Sequence, residues 1–316
     1  MVKIYNTDIA TGTTKKVSEI EKGVWINMVN PTKDEVENIC EKLRISQDLI
    51  EDALDDEEKA RIEVEEDDGT IGFIIDVPTV EKDDNENIRS TIPLGMIVVR
   101  NEYFITVSLR EVKVVHDIES NLIKNVNTRD TTKMIIQIFY KNATEFLKVL
   151  GEINKERNAT EKLLNNSMRN KELLKMLNLQ KSLVYITTSL RSNEMIHERT
   201  LRGKVLGLNE KEEELLEDVI IENRQAIEMA KIYSNTLNGT MDAYASIISN
   251  NLNIVMKILT TITIIMSIPT ILSGYWGMNV ELPLAGNPFA FYLIILLSVL
   301  CCFITIWWFK RRNMLS

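Results

Sequence analysis

The 316-residue sequence contains few of the residues that form disulfide frameworks or thiolate and imidazole metal sites. Three cysteines, Cys40, Cys301 and Cys302, are too few for a framework, and the last two are adjacent in an apolar segment, where thiols act as small hydrophobic groups. The two histidines, His116 and His197, lie far apart without a neighbouring Cys or His. We therefore expect a reducing compartment, no zinc site of this type, and histidines that are hydrogen-bonded or solvated.

Several functional motifs are also missing from the sequence. It has no phosphate-binding Gly-rich loop, no nucleophile motif and no catalytic His cluster, so an enzyme is not expected. The formal net charge of -9 makes nucleic acid an unexpected partner. No signal peptide is visible at the N-terminus, which predicts that the long N-terminal part stays in the cytosol.

Two apolar stretches near the C-terminus are long enough to cross a membrane. Residues 254–274 and 289–309 each contain about twenty residues, which at roughly 1.5 Å per residue span a hydrocarbon core of about 30 Å. Lys257 precedes the apolar centre of the first stretch and Lys310-Arg311-Arg312 follows the second, whereas the connecting loop, 275–288, has no Lys or Arg. Both termini are therefore predicted to lie in the cytosol.

The first hundred-odd residues alternate β-rich and helical patterns. Strands are predicted at 24–29, 71–77, 94–99 and 103–109. Helices are predicted at 32–43 and from an N-cap at Ser46 through Leu54, and turns at Asp67-Asp68-Gly69 and Asp83-Asp84-Asn85. This mixture predicts an α/β or α+β domain whose sheet is covered by helices.

The middle of the chain predicts long helices. Residues 131–201 contain no proline and one glycine, with leucines at helical spacing, which indicates a helical hairpin. The segment 203–208 ends this pattern, and Asn209 is a candidate N-cap. No strong breaker follows before Pro269, so one helix of about 60 residues, roughly 90 Å long, is expected to continue into the first apolar stretch.

This helix carries a stripe of small or polar residues. Steps of three and four residues select Asp242, Ser246, Ser249, Asn253, Met256, Thr260, Thr263, Ser267, Thr270 and Gly274. A period of about 3.5 implies a left-handed supercoil that keeps the stripe on one side. Ser and Thr in membrane helices also bond to their own carbonyls or allow close packing, but that explains two or three positions better than ten. We therefore predict a water-lined path, and because one helix cannot enclose it, an oligomer with the stripes facing a shared axis.

The first apolar stretch is followed by Tyr275-Trp276-Gly277-Met278-Asn279. The Gly-Met-Asn tripeptide between two spans resembles the CorA family of divalent-cation transporters. The likeness extends through Asn253-Ile254-Val255-Met256-Lys257, Leu259-Thr260, Pro269, Gly274 and the run from Leu237 to Tyr244. In the N-terminal half, Trp25-Ile26-Asn27, the run from Leu49 to Leu54, and Arg61-Ile62-Glu63 look like the family's soluble domain.

The resemblance implies a funnel-shaped homopentamer in the cytoplasmic (plasma) membrane, with an α/β cytosolic domain, long helices and two transmembrane α-helices. The expected parts are a cytosolic α/β domain (1–130), a cytosolic helical hairpin (131–208), a stalk helix continuing into the first span (209–274), an extracellular loop with the filter (275–288), the second span (289–309) and a basic cytosolic tail (310–316). The second spans are expected to form an outer ring.

The resemblance also implies roles for residues along the pore. Gly277 and Asn279 would present carbonyl and amide oxygens to a hydrated cation, with Met278 packing to hold the turn. Glu281 would attract cations, or is a solvated loop charge. Met256 and Leu259 would form an apolar constriction, or simply pack.

For regulation, the resemblance implies an intersubunit Mg²⁺ site in which Asp52 with Glu51 faces Asp218 of a neighbouring subunit. Filled sites would hold the ring shut, so the ion would close its own channel. Ordinary solvated carboxylates are the alternative, since acidic runs are common in this sequence.

Magnesium is therefore expected as both substrate and regulatory ligand, with Co²⁺ and Ni²⁺ left open as further substrates. A zinc or other divalent-metal transporter of the same superfamily is one alternative, although no thiol or imidazole lies near the filter. A membrane-anchored sensor or scaffold without ion flux is an alternative of another class, but a tether needs no polar stripe.

Overall fold

The computed structural model describes residues 1–8, 12–65, 69–83, 86–166, 170–203, 205–280 and 287–312. The chain divides into two compact units, Met1–Gly239 and Thr240–Ser316, and the boundary falls within a long helix.

The first unit contains a seven-stranded mixed sheet. Its strands are β1 (Val2–Asp8), β2 (Thr13–Val17), β3 (Trp25–Val29), β4 (Arg61–Glu65), β5 (Thr70–Asp83), β6 (Glu86–Val99) and β7 (Tyr103–Ser108). They lie in the order β2-β1-β3-β7-β6-β5-β4. The pairing of β3 with β7 is parallel, with Trp25 opposite Phe104, and the other pairings are antiparallel.

Helices cover both faces of this sheet, because successive strand residues point to opposite sides. One face, which includes Trp25 and Phe104, packs against α3 (Lys113–Glu119), α4 (Thr131–Asn166) and the start of α6 (Glu210–Trp276). The other face, which includes Ile26 and Ile105, packs against α1 (Lys33–Leu43), α2 (Asp48–Glu51) and a 3-10 helix (Asp52–Leu54). The predicted α/β architecture with a covered sheet is confirmed.

Local predictions for this unit have mixed outcomes. The four predicted strands match β3, β5, β6 and β7, but β1, β2 and β4 were not predicted. Thr32 caps α1 in a capping box with Glu35, whose carboxylate accepts from the Thr32 backbone N–H. The predicted cap at Ser46 is wrong: α2 starts after Gln47, whose side chain makes no capping hydrogen bond. The predicted turns at Asp67-Asp68 and Asp84-Asn85 lie outside the described residues.

The long helices follow the predicted pattern. The hairpin consists of α4 and α5 (Asn170–Arg202), and α6 runs from Glu210 to Trp276 with Pro269 inside it. Asn209 caps α6 as predicted: its Oδ1 accepts from the backbone N–H of Lys211 and Glu212, and the Glu212 carboxylate accepts from the Asn209 N–H.

The second unit contains the end of α6 together with α7 (Phe289–Arg311). Both helices are long and apolar enough to cross a membrane. Their most apolar windows are only 6% and 11% buried, unlike the core helix of a soluble protein. At the end of α7, the Arg311 guanidinium lies 5.4 Å from the Trp307 ring centre and the Arg312 guanidinium 5.7 Å from that of Trp308. Such amphipathic clusters are typical of membrane interfaces.

Candidate functional site

One face of α6 in the second unit contacts α7. Between residues 254 and 276, the sheltered side chains on this face are those of Thr261, Ile265, Ile268, Leu272 and Trp276. Thr261 is fully buried, and its hydroxyl has no hydrogen-bond partner among the described residues. The Cys302 thiol of α7 lies 3.7 Å from the Ile265 carbonyl oxygen, which fixes this face as the one that meets α7.

The polar stripe lies on the opposite side of α6. At about 100° per residue, positions 256 to 274 of the stripe are centred about half a turn from the face that contacts α7. Nine of the ten stripe residues are exposed in the single chain, and Ser267 is partly sheltered. Most of the stripe therefore points away from the second span, and Thr270 borders the groove between α6 and α7.

Hydroxyl groups in the stripe donate to carbonyls of their own helix. Ser246 donates to the Asp242 carbonyl, Thr263 to Leu259, Ser267 to Ile264 and Thr270 to Met266, over 2.8–3.2 Å. Such bonds within the helix are what we expect if the Ser and Thr residues do not line a path for water. However, a hydroxyl that donates inward keeps its oxygen lone pairs as acceptors. These oxygens can accept from the water molecules around a hydrated cation.

The Gly-Met-Asn segment follows directly after α6. The backbone N–H of Gly277 donates to the Ser273 carbonyl at 2.9 Å, and the next three residues leave the helix in a bend. Met278 is 53% exposed, so the single chain leaves about half of this residue uncovered. The predicted cation-attracting residue, Glu281, lies outside the described residues.

The predicted constriction residues are both on the surface of the single chain. Met256 is 51% exposed and Leu259 is 57% exposed. Only contact between copies could narrow a path at this level, so the constriction stays a prediction.

The predicted regulatory residue Asp52 has a partner within its own chain. Its carboxylate lies 2.6 Å from the Arg61 guanidinium, which also contacts Glu58 and Glu63. Burial raises the pKa of Asp52 above its ordinary value, Arg61 opposes this rise, and the nearby carboxylates add to it. Neighbouring Glu51 is exposed and accepts from the Gln47 amide at 2.7 Å.

Asp218 belongs to the other side of the sheet. It is exposed on α6 and lines a surface cavity of about 590 Å³ together with Tyr140 and Leu215. Val219 packs in the core with Trp25, whereas Ala53, next to Asp52, packs in the opposite core. A single chain therefore cannot bring Asp52 and Asp218 to one ion. Among the described residues, no group of three or more His, Cys, Asp or Glu is placed to hold a metal.

The buried polar residues include one that sequence reasoning misjudged. His197 is neither hydrogen-bonded nor solvated: it is buried against Phe139, with 4.6 Å between ring centres, and neither ring nitrogen has a partner among the described residues. Burial lowers the pKa of His197 to about 3. Asp76, in β5, has its pKa raised to about 6 by burial, although a hydrogen bond with Ser189 limits the rise.

Comparison with known proteins assigns the chain to a family. The family described as "CorA-like Mg2+ transporter protein" matches residues 21–311. A curated relative, "Cobalt/magnesium transport protein CorA" of Methanocaldococcus jannaschii, is 30% identical over 296 residues, covering 92% of this chain and 90% of the relative. The chain belongs to the CorA family. A second relative, "Magnesium transport protein CorA" of Helicobacter pylori, is 18% identical over 300 residues, covering 92% of this chain and 91% of the relative.

Solved structures agree with membership of the CorA family. "The complete structure of CorA magnesium transporter from Methanocaldococcus jannaschii" aligns with a TM-score of 0.84 and 26% identity, covering 98% of each chain. The full-length CmaX protein aligns with a TM-score of 0.70 at 15% identity, covering 98% of this chain and 96% of that one. At this low identity, the CmaX match shows the fold alone.

Two contacts in the candidate site were missed from the sequence. Arg61 was noted only as part of a family likeness, and nothing in its spacing indicated that its guanidinium would gather three carboxylates. Cys302 was interpreted as a small hydrophobic residue, whereas its thiol contacts a backbone carbonyl of α6. The proline four residues after Ile265 was the available signal for that contact.

Proposed function

We propose that this CorA-family protein carries hydrated Mg²⁺ across the cytoplasmic membrane along the polar stripe of α6. The observation that carries the proposal is the position of the stripe, about half a turn away from the face that contacts α7. Copies arranged with α6 inside and α7 outside would bring their stripes to one axis. The curated M. jannaschii relative is named for cobalt and magnesium transport, which supports this ion class with Co²⁺ as a further substrate.

The chemistry of the stripe suits a cation that keeps its water. Mg²⁺ loses its hydration shell reluctantly, so oxygen acceptors that bind its water molecules are preferable to direct ligands. The hydroxyl oxygens of Thr263 and Thr270 have this property because their protons are already donated to the helix. At the outer end, Gly277 and Asn279 would add carbonyl and amide oxygens, with Met278 packed by a neighbouring copy and Glu281 raising the local cation concentration.

The assembly that we propose is a homopentamer with both termini of each chain in the cytosol. The number five rests on the family resemblance. Orientation rests on Lys310, Arg311 and Arg312 at the end of α7 and on the uncharged or acidic loop between the spans. In this arrangement residues 1–208 form the cytosolic domain and hairpin, 209–274 the stalk and first span, 275–288 the outer loop, 289–309 the second span and 310–316 the basic tail.

We further propose that Mg²⁺ bound between cytosolic domains closes the path. Asp52 and Asp218 lie on opposite sides of the sheet in one chain, so they could share an ion only across two copies. The ion would compete with Arg61 for the Asp52 carboxylate. This competition would favour release of Mg²⁺ when its cytosolic concentration falls.

Replacement of the filter amide tests the transport proposal. Asn279→Ala removes an amide oxygen from every copy, and the loss of one polar contact of about 1.4 kcal/mol lowers flux about tenfold. The assay is Mg²⁺ entry into liposomes that contain a magnesium-sensitive dye. Val280→Ala, at the exposed next position, is the matched control and should keep wild-type flux. Wild-type flux in Asn279→Ala would remove this residue from the filter, and a wild-type protein without any Mg²⁺ signal would favour the sensor or scaffold.

Limited proteolysis in detergent tests the regulatory site. Mg²⁺ should protect the wild-type protein, and Asp218→Ala should need roughly tenfold more Mg²⁺ for the same protection, because one carboxylate ligand is lost. Glu217→Ala removes an exposed carboxylate one position away and should behave as wild type. Equal protection of all three proteins would take Asp218 out of the site.

A further inference from the structure

The proline inside α6 leaves one backbone carbonyl of the helix without its usual donor, and a side chain of α7 contacts that carbonyl. Pro269 has no backbone N–H, so it cannot make the hydrogen bond that a helix normally provides to the carbonyl of Ile265, four residues earlier. The Sγ atom of Cys302 in α7 lies 3.7 Å from that carbonyl oxygen, at the distance of an S–H···O hydrogen bond. The thiol therefore occupies the position of the missing donor.

A missing donor matters more in a membrane than in water. Lipid offers no hydrogen bond to an exposed carbonyl, so helix-breaking prolines are tolerated in membrane spans where another group satisfies the freed backbone. A thiol is a weak donor, but it is small and apolar enough to sit between two packed helices. Both Ile265 and Cys302 are partly sheltered at the α6–α7 contact.

The contact lies close to the filter. Gly277 is eight residues, or about two helical turns, after Pro269. Over the same stretch Ser267, Thr270 and Ser273 donate hydroxyl protons to backbone carbonyls, which loosens and bends helices. The last two turns of α6 therefore join the Cys302 contact to the filter segment.

We propose that Cys302 is a positioning residue: its thiol replaces the Pro269 N–H at the Ile265 carbonyl and thereby fixes the filter end of α6 against α7. The claim that the thiol replaces the missing donor stands on this contact alone, whereas its effect on Mg²⁺ flux rests on the proposed function. A groove of about 770 Å³ borders Cys302 and Pro269. It leaves room for the extra methyl group of a Cys302→Val variant, which has no donor.

A double-mutant cycle in the full-length protein tests this assignment. Cys302→Val should lower the apparent melting temperature in detergent by about 2–4 °C and reduce Mg²⁺ flux, whereas Cys302→Ser, which keeps a donor, should retain both. In a Pro269→Ala background the helix regains its own N–H donor, so Cys302→Val should then change the melting temperature by less than about 1 °C. Cys301→Ala is the matched control, because the Cys301 thiol makes no hydrogen bond with any described residue. An equal effect of Cys302→Val in both backgrounds would overturn the proposal, since the side chain would then act by packing.

Infrared spectroscopy provides a test that needs no destabilising variant. The S–H stretching band should lie at lower frequency in a protein whose only cysteine is Cys302 than in one whose only cysteine is Cys301. Identical bands would overturn the proposal. Neither the melting temperatures nor the spectra depend on ion transport, so a protein that carries no Mg²⁺ would defeat the proposed function without deciding this one.

Discussion

At the scale of single residues, burial shifts the pKa values of two titratable groups in opposite directions. His197 has its pKa lowered to about 3, so below about pH 6.5 the unfolded chain binds a proton that the folded chain does not. Its contribution to stability is therefore present above about pH 6.5 and lost as the pH falls toward 3. The pKa of Asp76 is raised to about 6, so its contribution is present at low pH and lost as the pH rises from about 4 through 6.

The His197 effect can be isolated by substitution. Between pH 6 and 4, the wild-type protein should lose up to about 1.4 kcal/mol of unfolding free energy per pH unit more than His197→Leu, because the variant has no imidazole to protonate. Denaturant titrations of the detergent-solubilised protein at several pH values measure both slopes. His116→Gln, which replaces an exposed imidazole, is the control and should follow the wild type. Parallel pH profiles for wild type and His197→Leu would refute the assignment.

At the scale of secondary structure elements, the 3-10 helix that carries Asp52 rests on a glycine of β6. A β-carbon at Gly95 would lie 2.5 Å from the Ala53 β-carbon and 3.5 Å from that of Val107. Because Ala53 is fully buried, it cannot move aside alone, and the whole 3-10 helix would shift. The position of Asp52 is thus coupled to a residue with no polar chemistry of its own.

Gly95→Ala should therefore affect both stability and regulation. Overpacking at this site should cost about 1–3 kcal/mol of unfolding free energy and should weaken the protection from proteolysis that Mg²⁺ gives. Gly151→Ala, in α4 with open space around its β-carbon, should be neutral or slightly stabilising. If Gly95→Ala kept wild-type stability and Mg²⁺ protection, the 3-10 helix would not depend on this contact.

Two of the three strands that were not predicted from the sequence, β2 and β4, have a physical reason in common. β2 and β4 are the two edge strands of the sheet. Edge strands carry charged and polar side chains that prevent aggregation, so they resemble loops in composition. The central strands β5, β6 and β7 are rich in buried apolar residues and were predicted correctly. The predicted N-cap was correct at Asn209, where Glu212 three residues later completes the reciprocal pair, and wrong at Ser46, which has no glutamate three residues later.

In the candidate site, too, the features that follow a local sequence pattern could be predicted and the others could not. The stripe could be predicted because it is a periodic property of one helix, and the sequence is enough to define its face. The bond between Arg61 and Asp52 joins segments across a non-helical turn, and the contact of Cys302 with Ile265 joins two separate helices. Neither contact follows the periodicity of a helix or a strand, so neither could be predicted from the sequence.

At the scale of the whole molecule, the proposed ion path depends on which side of α6 meets water in the membrane. Thr263 and Ile262 are neighbours at the same depth, but Thr263 lies on the stripe and Ile262 lies about 100° away from it. Both are exposed in the single chain, so its surface does not distinguish them. Assembly around a wet axis would make only the stripe accessible to a water-soluble reagent.

The most direct measurement is labelling of introduced cysteines by a charged, membrane-impermeant thiol reagent in proteoliposomes. The background carries Cys40→Ala, Cys301→Ala and Cys302→Ser, which preserves the donor at the Ile265 carbonyl. If water lines the stripe, Thr263→Cys should be modified and its Mg²⁺ flux should fall after modification, while Ile262→Cys should stay unmodified. Modification of Ile262→Cys with protection of Thr263→Cys would contradict a water-lined path along the stripe.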